Sequence, residues 1–259
     1  MIDYDISHSD YLALDKLSAS GIKQLLRSPA HYREAIEHPT PASPQQLLGT
    51  LVHAAVLEPE RTIMRVMPAV DGRTKAGKEA KAAFNAELPA DCHAVDAETY
   101  DTVYRMRDAV LENRYANILL SDGKPEVSIF WDDNGIECKA RIDWLCGGHE
   151  VLLDLKTAQD AGYEGFAKAC GSFQYHAQDS WYRRGAAAVG LGNRAFIFLV
   201  IENKPPHAVA LYQLDDQARQ AGEARIIRAI DIYRQCKESG EWPGYEPEIQ
   251  SLSLPKWAL

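Results

Sequence analysis

Ile136-Glu137-Cys138-Lys139-Ala140-Arg141-Ile142-Asp143-Trp144-Leu145-Cys146, then Gly147-Gly148-His149-Glu150, then Val151-Leu152-Leu153-Asp154-Leu155-Lys156: this stretch decides the fold. In the first run Ile136, Cys138, Ala140 and Ile142 alternate with Glu137, Lys139, Arg141 and Asp143, the period-2 pattern of a strand. Gly147-Gly148 signals a turn, so the two runs read as a hairpin. A turn centred between Gly148 and His149 sets Asp143 opposite Asp154, and opposed residues share a sheet face. Alternation adds Lys156 to that face and sends Leu153 and Leu155 to the other, toward the core.

Working outward, Val127, Ile129 and Trp131 alternate after Pro125, and apolar runs at 195–201 and 208–214, joined through Pro205-Pro206, add strands. The N-terminal half is helical in pattern. Hydroxyl residues before Ile22, Leu25 and Leu26 predict a capped helix that stops near Ser28-Pro29, and a second helix runs from Pro29 to about His38. Residues 45–57 carry a broad apolar stripe of Leu47, Leu48, Leu51, Val52, Ala55 and Val56, which predicts a buried helix. One long amphipathic helix is expected over 97–120, another over 173–189, and a terminal helix over 215–239. The expected fold class is α/β (α+β-like), a mixed sheet flanked by helices within a single domain over 1–259. Its parts are a mainly helical 1–120, a sheet core over 125–214, and a C-terminal helix and tail over 215–259.

A chain of 259 residues that is 46% hydrophobic can bury a sizeable core, which excludes a disordered tail. No apolar run approaches the roughly 20 residues that cross a bilayer, so no membrane association is expected. Met1-Ile2-Asp3-Tyr4-Asp5 has neither a basic nor an apolar leader region, and the expected compartment is the cytoplasm. Five cysteines at unpatterned spacing, with no CxxC pair, argue against a disulfide framework and a zinc ribbon. The net charge of −9 disfavours broad adhesion to polyanions, so any nucleic-acid contact must concentrate its cations locally.

Two facing carboxylates repel, and without a cation one tends to hold a proton. A divalent metal resolves the conflict, and oxygen ligands of this kind suit Mg²⁺ or Mn²⁺, which bind phosphate oxygens through their open positions. Lys156 could then steady charge building on a phosphate, and the chemistry that follows is phosphodiester hydrolysis. The competing reading is a solvated acid pair with a surface ion pair, but a carboxylate inside the apolar run 151–155 is costly without compensation. His53, on the buried helix, is a candidate third ligand or a core histidine. Gln174, Gln178 and Tyr182 share one helix stripe, with Tyr175 adjoining, able to contact phosphate or to form the rim of a packed face.

The order Gly49…His53, Asp143, Asp154-Leu155-Lys156, Gln178…Tyr182 resembles the PD-(D/E)xK nucleases of the lambda-exonuclease and RecB-nuclease type, above all the RecE-type (exodeoxyribonuclease VIII) exonuclease domains. The resemblance extends to Leu17-Ser18-Ala19-Ser20-Gly21, Ser28-Pro29-Ala30-His31-Tyr32 and Gly72-Arg73-Thr74-Lys75-Ala76-Gly77-Lys78, nearly the whole chain. It implies a restriction-endonuclease-like core with metal ligation by His53, Asp143, Asp154 and the Leu155 carbonyl, a catalytic Lys156, and support of the scissile phosphate by Gln178 and Tyr182. Glu126 takes the place of an upstream acidic catalytic residue, the alternative being a strand-edge charge. Ser18 and Ser20 would seat a phosphate or simply cap their helix. Arg73, Lys75 and Lys78 would track the DNA backbone or form a solvated charge run. The five cysteines do not match the iron–sulfur relatives, so no cluster is expected. The implied activity is Mg²⁺-dependent 5′-to-3′ digestion of one strand of linear duplex DNA by a ring-shaped trimer or tetramer, leaving a 3′ single strand for an annealing protein. The alternatives are a DNA-end-binding or structural member without turnover, and an endonuclease or single-strand-specific enzyme using the same site.

Overall fold

A computed structural model describes residues 1–61, 63–89 and 91–254. In chain order the elements are β1 (Ile2–Asp3), α1 (His8–Ala13), α2 (Ala19–Arg27), α3 (Pro29–Glu37), α4 (Pro44–Leu57), β2 (Met64–Val66), α5 (Lys75–Ala86), β3 (His93–Val95), α6 (Ala97–Glu112), α7 (Arg114–Leu120), β4 (Gly123–Asp133), β5 (Ile136–Cys146), β6 (Val151–Ala158), α8 (Tyr163–Ser172), α9 (Tyr175–Ala188), β7 (Ala195–Glu202), β8 (Val209–Tyr212) and α10 (Asp216–Ser239). The tail expected to close the domain at 259 is described as far as residue 254; residues 255–259 lie outside the described residues.

The main sheet has six strands in the order β1-β4-β5-β6-β7-β8. Among the described residues of this sheet only β6 and β7 run parallel, because α8 and α9 form the crossover between them; its other neighbour pairs are antiparallel. β2 and β3 form a separate parallel pair. The β4–β5 hairpin turns at Asn134-Gly135, both left-handed (φ 54° and 87°), which matches the twist of the flanking strands. The β5–β6 hairpin pairs Trp144 with Leu153 and Leu145 with Leu152, the register that sets Asp143 opposite Asp154.

Both faces of the sheet are covered. Leu152, Phe198 and Val200 pack with Ile22, Leu25, Phe166, Trp181, Ile226 and Ile230 under α2 and α8–α10. Leu153, Leu155, Leu199 and Ile201 pack with Leu51, Val52, Val103 and Met106 under α4 and α6. Two covered faces explain the near-continuous apolar run of β6, and each fully buried Leu there contributes about 1.5–3 kcal/mol. The face carrying Asp154 is therefore interior as well. α9 and α10 approach so closely that a Cβ on Gly222 would lie 2.1 Å from the His176 carbonyl oxygen and 2.6 Å from Ser180 Oγ.

Several features differ from the sequence reading, among them α1, β2 and β3, which it does not predict. The helix expected over 97–120 breaks at Asn113, whose side-chain oxygen accepts from the amides of Tyr115 and Ala116 at 3.1 Å and starts α7. A side chain able to cap offers the backbone an alternative to continuing the helix. α5 and α8 were not expected, and the cationic stretch around Arg73 leads into α5, capped by Thr74. β4 begins at Gly123, ahead of Pro125, and the N-terminal part contributes β1, which pairs with β4.

Candidate metal and phosphate site

The site forms where the hairpins stop pairing regularly. Pro125–Trp144 and Val127–Ile142 are paired neighbours across β4 and β5, so Glu126 lies opposite Asp143, as Asp143 lies opposite Asp154. Three carboxylates thus occupy one row across β4, β5 and β6. Glu126 has a left-handed backbone (φ 54°), uncommon for a residue with a side chain and concentrated at functional sites. Beside it, the Leu155 amide donates to Asp143 Oδ2 at 2.9 Å.

His53, on α4, approaches this row from the opposite face. Its Nε2 donates to the Leu155 carbonyl at 2.7 Å, and its Nδ1 lies 3.6 Å from Asp143 Oδ2. Burial and then the nearby Lys156 charge hold the imidazole pKa below its ordinary value, so at neutral pH it is an uncharged ligand candidate. One donor atom each from His53, Glu126 and Asp143 lie within 4.8 Å of one another, a group able to hold a metal ion. Burial, and next the Asp154 charge, push the Asp143 carboxyl well above the usual range. That is the repulsion a cation relieves, and one nitrogen with carboxylate oxygens suits Mg²⁺ or Mn²⁺, so the residues fit the ion.

Asp154 is only 1% exposed and is held differently. Gln178 Nε2, from α9, donates to its Oδ1 at 2.6 Å, while Lys156 Nζ lies 2.5 Å from Oδ2 as a close ion pair outside hydrogen-bonding angles. Burial alone would lower the Lys156 pKa, but Asp154 and Asp143 outweigh it and the ammonium is stabilised. Of the sequence-derived ligand set, His53 and Asp143 are in the compact group. Asp154 adjoins it but spends its oxygens on Gln178 and Lys156, and the Leu155 carbonyl is the acceptor of His53. Glu126, expected as an acid of less defined duty, is the third member of the group. Arg141 Nε holds its Oε2 at 2.7 Å, and Arg141 also donates to the Ile6 carbonyl at 3.1 Å and to Ser128 Oγ at 3.0 Å.

Gln178 therefore serves Asp154 rather than standing free. Tyr182 packs edge-on against Phe196 (5.6 Å between ring centres), and burial, reinforced by Tyr11 and by the charges of Asp143, Asp154 and Glu126, raises its hydroxyl pKa. Ser18 Oγ accepts from the Gly21 amide at 3.3 Å and lies 3.0 Å from Ser20 Oγ, so both serines are occupied at the start of α2. Arg73 and Lys75 stand almost fully exposed and are paired loosely with Asp71 and Glu79, at 3.8 and 3.9 Å. No contact of Arg73, Lys75 or Lys78 among the described residues reaches the acid row.

Two residues at the site escaped the sequence reading. Lys23, on α2, points its Nζ over the Tyr175 ring at 5.1 Å, the same ring that Lys156 Nζ approaches at 5.0 Å. Burial, then Lys156, bring the Lys23 pKa down to about 8. Arg141 figures in the sequence reading only as a polar member of the alternating strand. The five cysteines are free and buried, and no helix among the described residues is long and apolar enough to cross a membrane.

Residues 18–255 match the model of a family described as a PDDEXK-like domain of unknown function (DUF3799). Among solved structures, one from Eubacterium rectale, described provisionally as an exonuclease, superposes with a TM-score of 0.66 at 14% identity, over 98% of this chain and 96% of that one. A second, SSO0001, is 15% identical over 71% of this chain and 88% of that chain with a TM-score of 0.28, too low to bear on the fold. No curated protein matches.

Proposed function

Because this chain belongs to the PDDEXK-like domain family, we propose that it is a divalent-metal-dependent nuclease that digests linear duplex DNA from its ends. One observation carries the reading: His53 from α4 converges within 4.8 Å with Glu126 and Asp143 beside an Asp154–Lys156 pair, the acids being aligned by strand register. His53, Glu126 and Asp143 would hold the ion, with Asp154 and the Leu155 carbonyl at its border. A divalent ion there supplies Lewis-acid polarisation of a phosphate and a lowered pKa for an attacking water.

The chain's own groups do the rest. Asp154 keeps Lys156 charged and aimed, so the ammonium is available to negative charge developing on the phosphate without rearranging. Gln178 fixes the Asp154 carboxylate, and Tyr182 lines the same side with a protonated hydroxyl. The resemblance supports a 5′-to-3′ direction, a 3′ single-stranded product passed to an annealing protein, and a trimeric or tetrameric ring. The net charge of −9 accords with a ring that gathers its cations inward.

Purified protein incubated with blunt linear duplex labelled at either 5′ or 3′ ends, with Mg²⁺, with Mn²⁺ and with EDTA, tests the reading. Metal-dependent release of nucleotides, lost in Lys156→Ala, is the expected result, and covalently closed duplex should stay intact. Binding of ends without release would turn the assignment to an end-binding protein. Nicking of closed circles would turn it to an endonuclease.

A further inference from the structure

The charges of the site are divided. On one side three acids crowd together, and on the other two ammonium groups share one aromatic ring, Lys156 at 5.0 Å and Lys23 at 5.1 Å from the Tyr175 centroid. Lys156 has a counter-ion in Asp154. Lys23 has no ion-pair or hydrogen-bond partner among the described residues. An aromatic ring attracts a cation by about 0.5–2 kcal/mol, a small gain for bringing a second ammonium to a ring that already holds one. Long lysines on helices ordinarily extend their heads to water, whereas this one turns over the Tyr175 ring. A polyanion would complete the arrangement: one group with several acceptor oxygens can satisfy both ammoniums, as the ion satisfies the acids opposite.

We propose that Lys23 is a phosphate-binding residue of this site, holding with Lys156 a DNA backbone phosphate on the Tyr175 side of the acid row. The inference rests on the nuclease reading and extends it to a residue outside the DxK and QxxxY motifs. It gives α2 a role beyond packing: Ile22 and Leu25 anchor the helix in the core, and the position between them presents the cation. A purely structural cation–π contact, by contrast, would matter to stability and not to DNA.

The test compares wild type with Lys23→Ala, Lys23→Gln and Lys23→Arg, all checked for folding by circular dichroism. Gln keeps most of the stem should Ala perturb the helix. Binding of a fluorescent linear duplex is measured by anisotropy with Ca²⁺ replacing Mg²⁺, across a salt series, and cleavage with Mg²⁺ is measured in parallel. Loss of the charge is expected to weaken binding about tenfold near 0.1 M salt and to reduce the slope of log K against log salt by about 1, with Arg retaining the wild-type slope. KM should rise more than kcat falls. An unchanged slope in folded Ala and Gln variants, while wild type cuts DNA, overturns the role of Lys23 alone. Failure of wild type to cut in any metal instead sinks the nuclease reading.

Discussion

Asp179 offers a test of the α9 environment that needs no substrate. It is 1% exposed, and neither of its carboxylate oxygens has a hydrogen-bond partner among the described residues. Arg183 and Arg219 are near enough to favour its charge, but Arg183 donates to Asn193 at 2.7 Å and Arg219 pairs with Asp216. Asp154 opposes ionisation from β6. Burial dominates, and the carboxyl is pushed from its ordinary 3.8 up to about 7. The sign follows. In the unfolded chain Asp179 loses its proton near pH 4, whereas the native protein keeps it to about pH 7. The native state therefore binds more protons across that window, and this group's contribution is complete below about pH 4 and lost progressively as pH rises to 7. At about 1.4 kcal/mol per pH unit the full loss is about 4 kcal/mol.

Asp179→Asn keeps the shape and removes the charge. In urea unfolding followed by circular dichroism, the variant should gain on wild type as pH rises, the difference growing by about 2–3 kcal/mol between pH 5 and pH 8. Subtracting wild type at each pH cancels other titrating groups. A difference that stays flat within about 0.5 kcal/mol would refute the reasoning, because it would mean that the native carboxyl ionises as readily as the unfolded one.

Other outcomes are equally direct. His53→Ala, Glu126→Gln and Asp143→Asn should each weaken Mn²⁺ binding, measured by calorimetry, by about tenfold or more, and unchanged affinity would remove that residue from the ligand set. Gly222→Ala should destabilise the protein by about 1–3 kcal/mol, because α9 and α10 must part to admit a methyl; an unaltered urea midpoint would contradict the contact. Replacing Arg73, Lys75 and Lys78 together by alanine should leave stability within about 0.5 kcal/mol while reducing the salt slope of DNA binding, and an unchanged slope would make the stretch a solvated charge run.

The hairpin arithmetic on 136–156 was sufficient to place Asp143 opposite Asp154 once the bend is centred between Gly148 and His149, and alternation then puts Lys156 on the same face. The same arithmetic on Asn134-Gly135 sets Glu126 opposite Asp143, so that pairing too is carried by the sequence. His53 as a site residue was legible from spacing only in company with the other motifs. The splay that frees the Leu155 amide for Asp143 was not legible, because it comes from a side chain competing with the ladder, and no sequence signal marked the left-handed backbone of Glu126. Lys23 was hidden for another reason. A lysine on an amphipathic helix reads as solvent-facing until the neighbouring aromatic is known, and Tyr175 lies about 150 positions downstream. The break at Asn113 shows the reverse case: the capping residue was visible, but the apolar period ran through it.

The acid row has an unexpected dependence on the length of two surface bends. Glu126 and Asp143 are equidistant from the Asn134-Gly135 turn, and Asp143 and Asp154 from the bend after Cys146. Adding one amino acid to either bend would carry a whole strand's side chains through to the reverse of the sheet, dispersing the ligands without touching any of them. Tight connections far from the chemistry are thus the part of the chain least free to drift in length, and a library of insertions should find its dead zones there rather than around the exposed segment leading into α5.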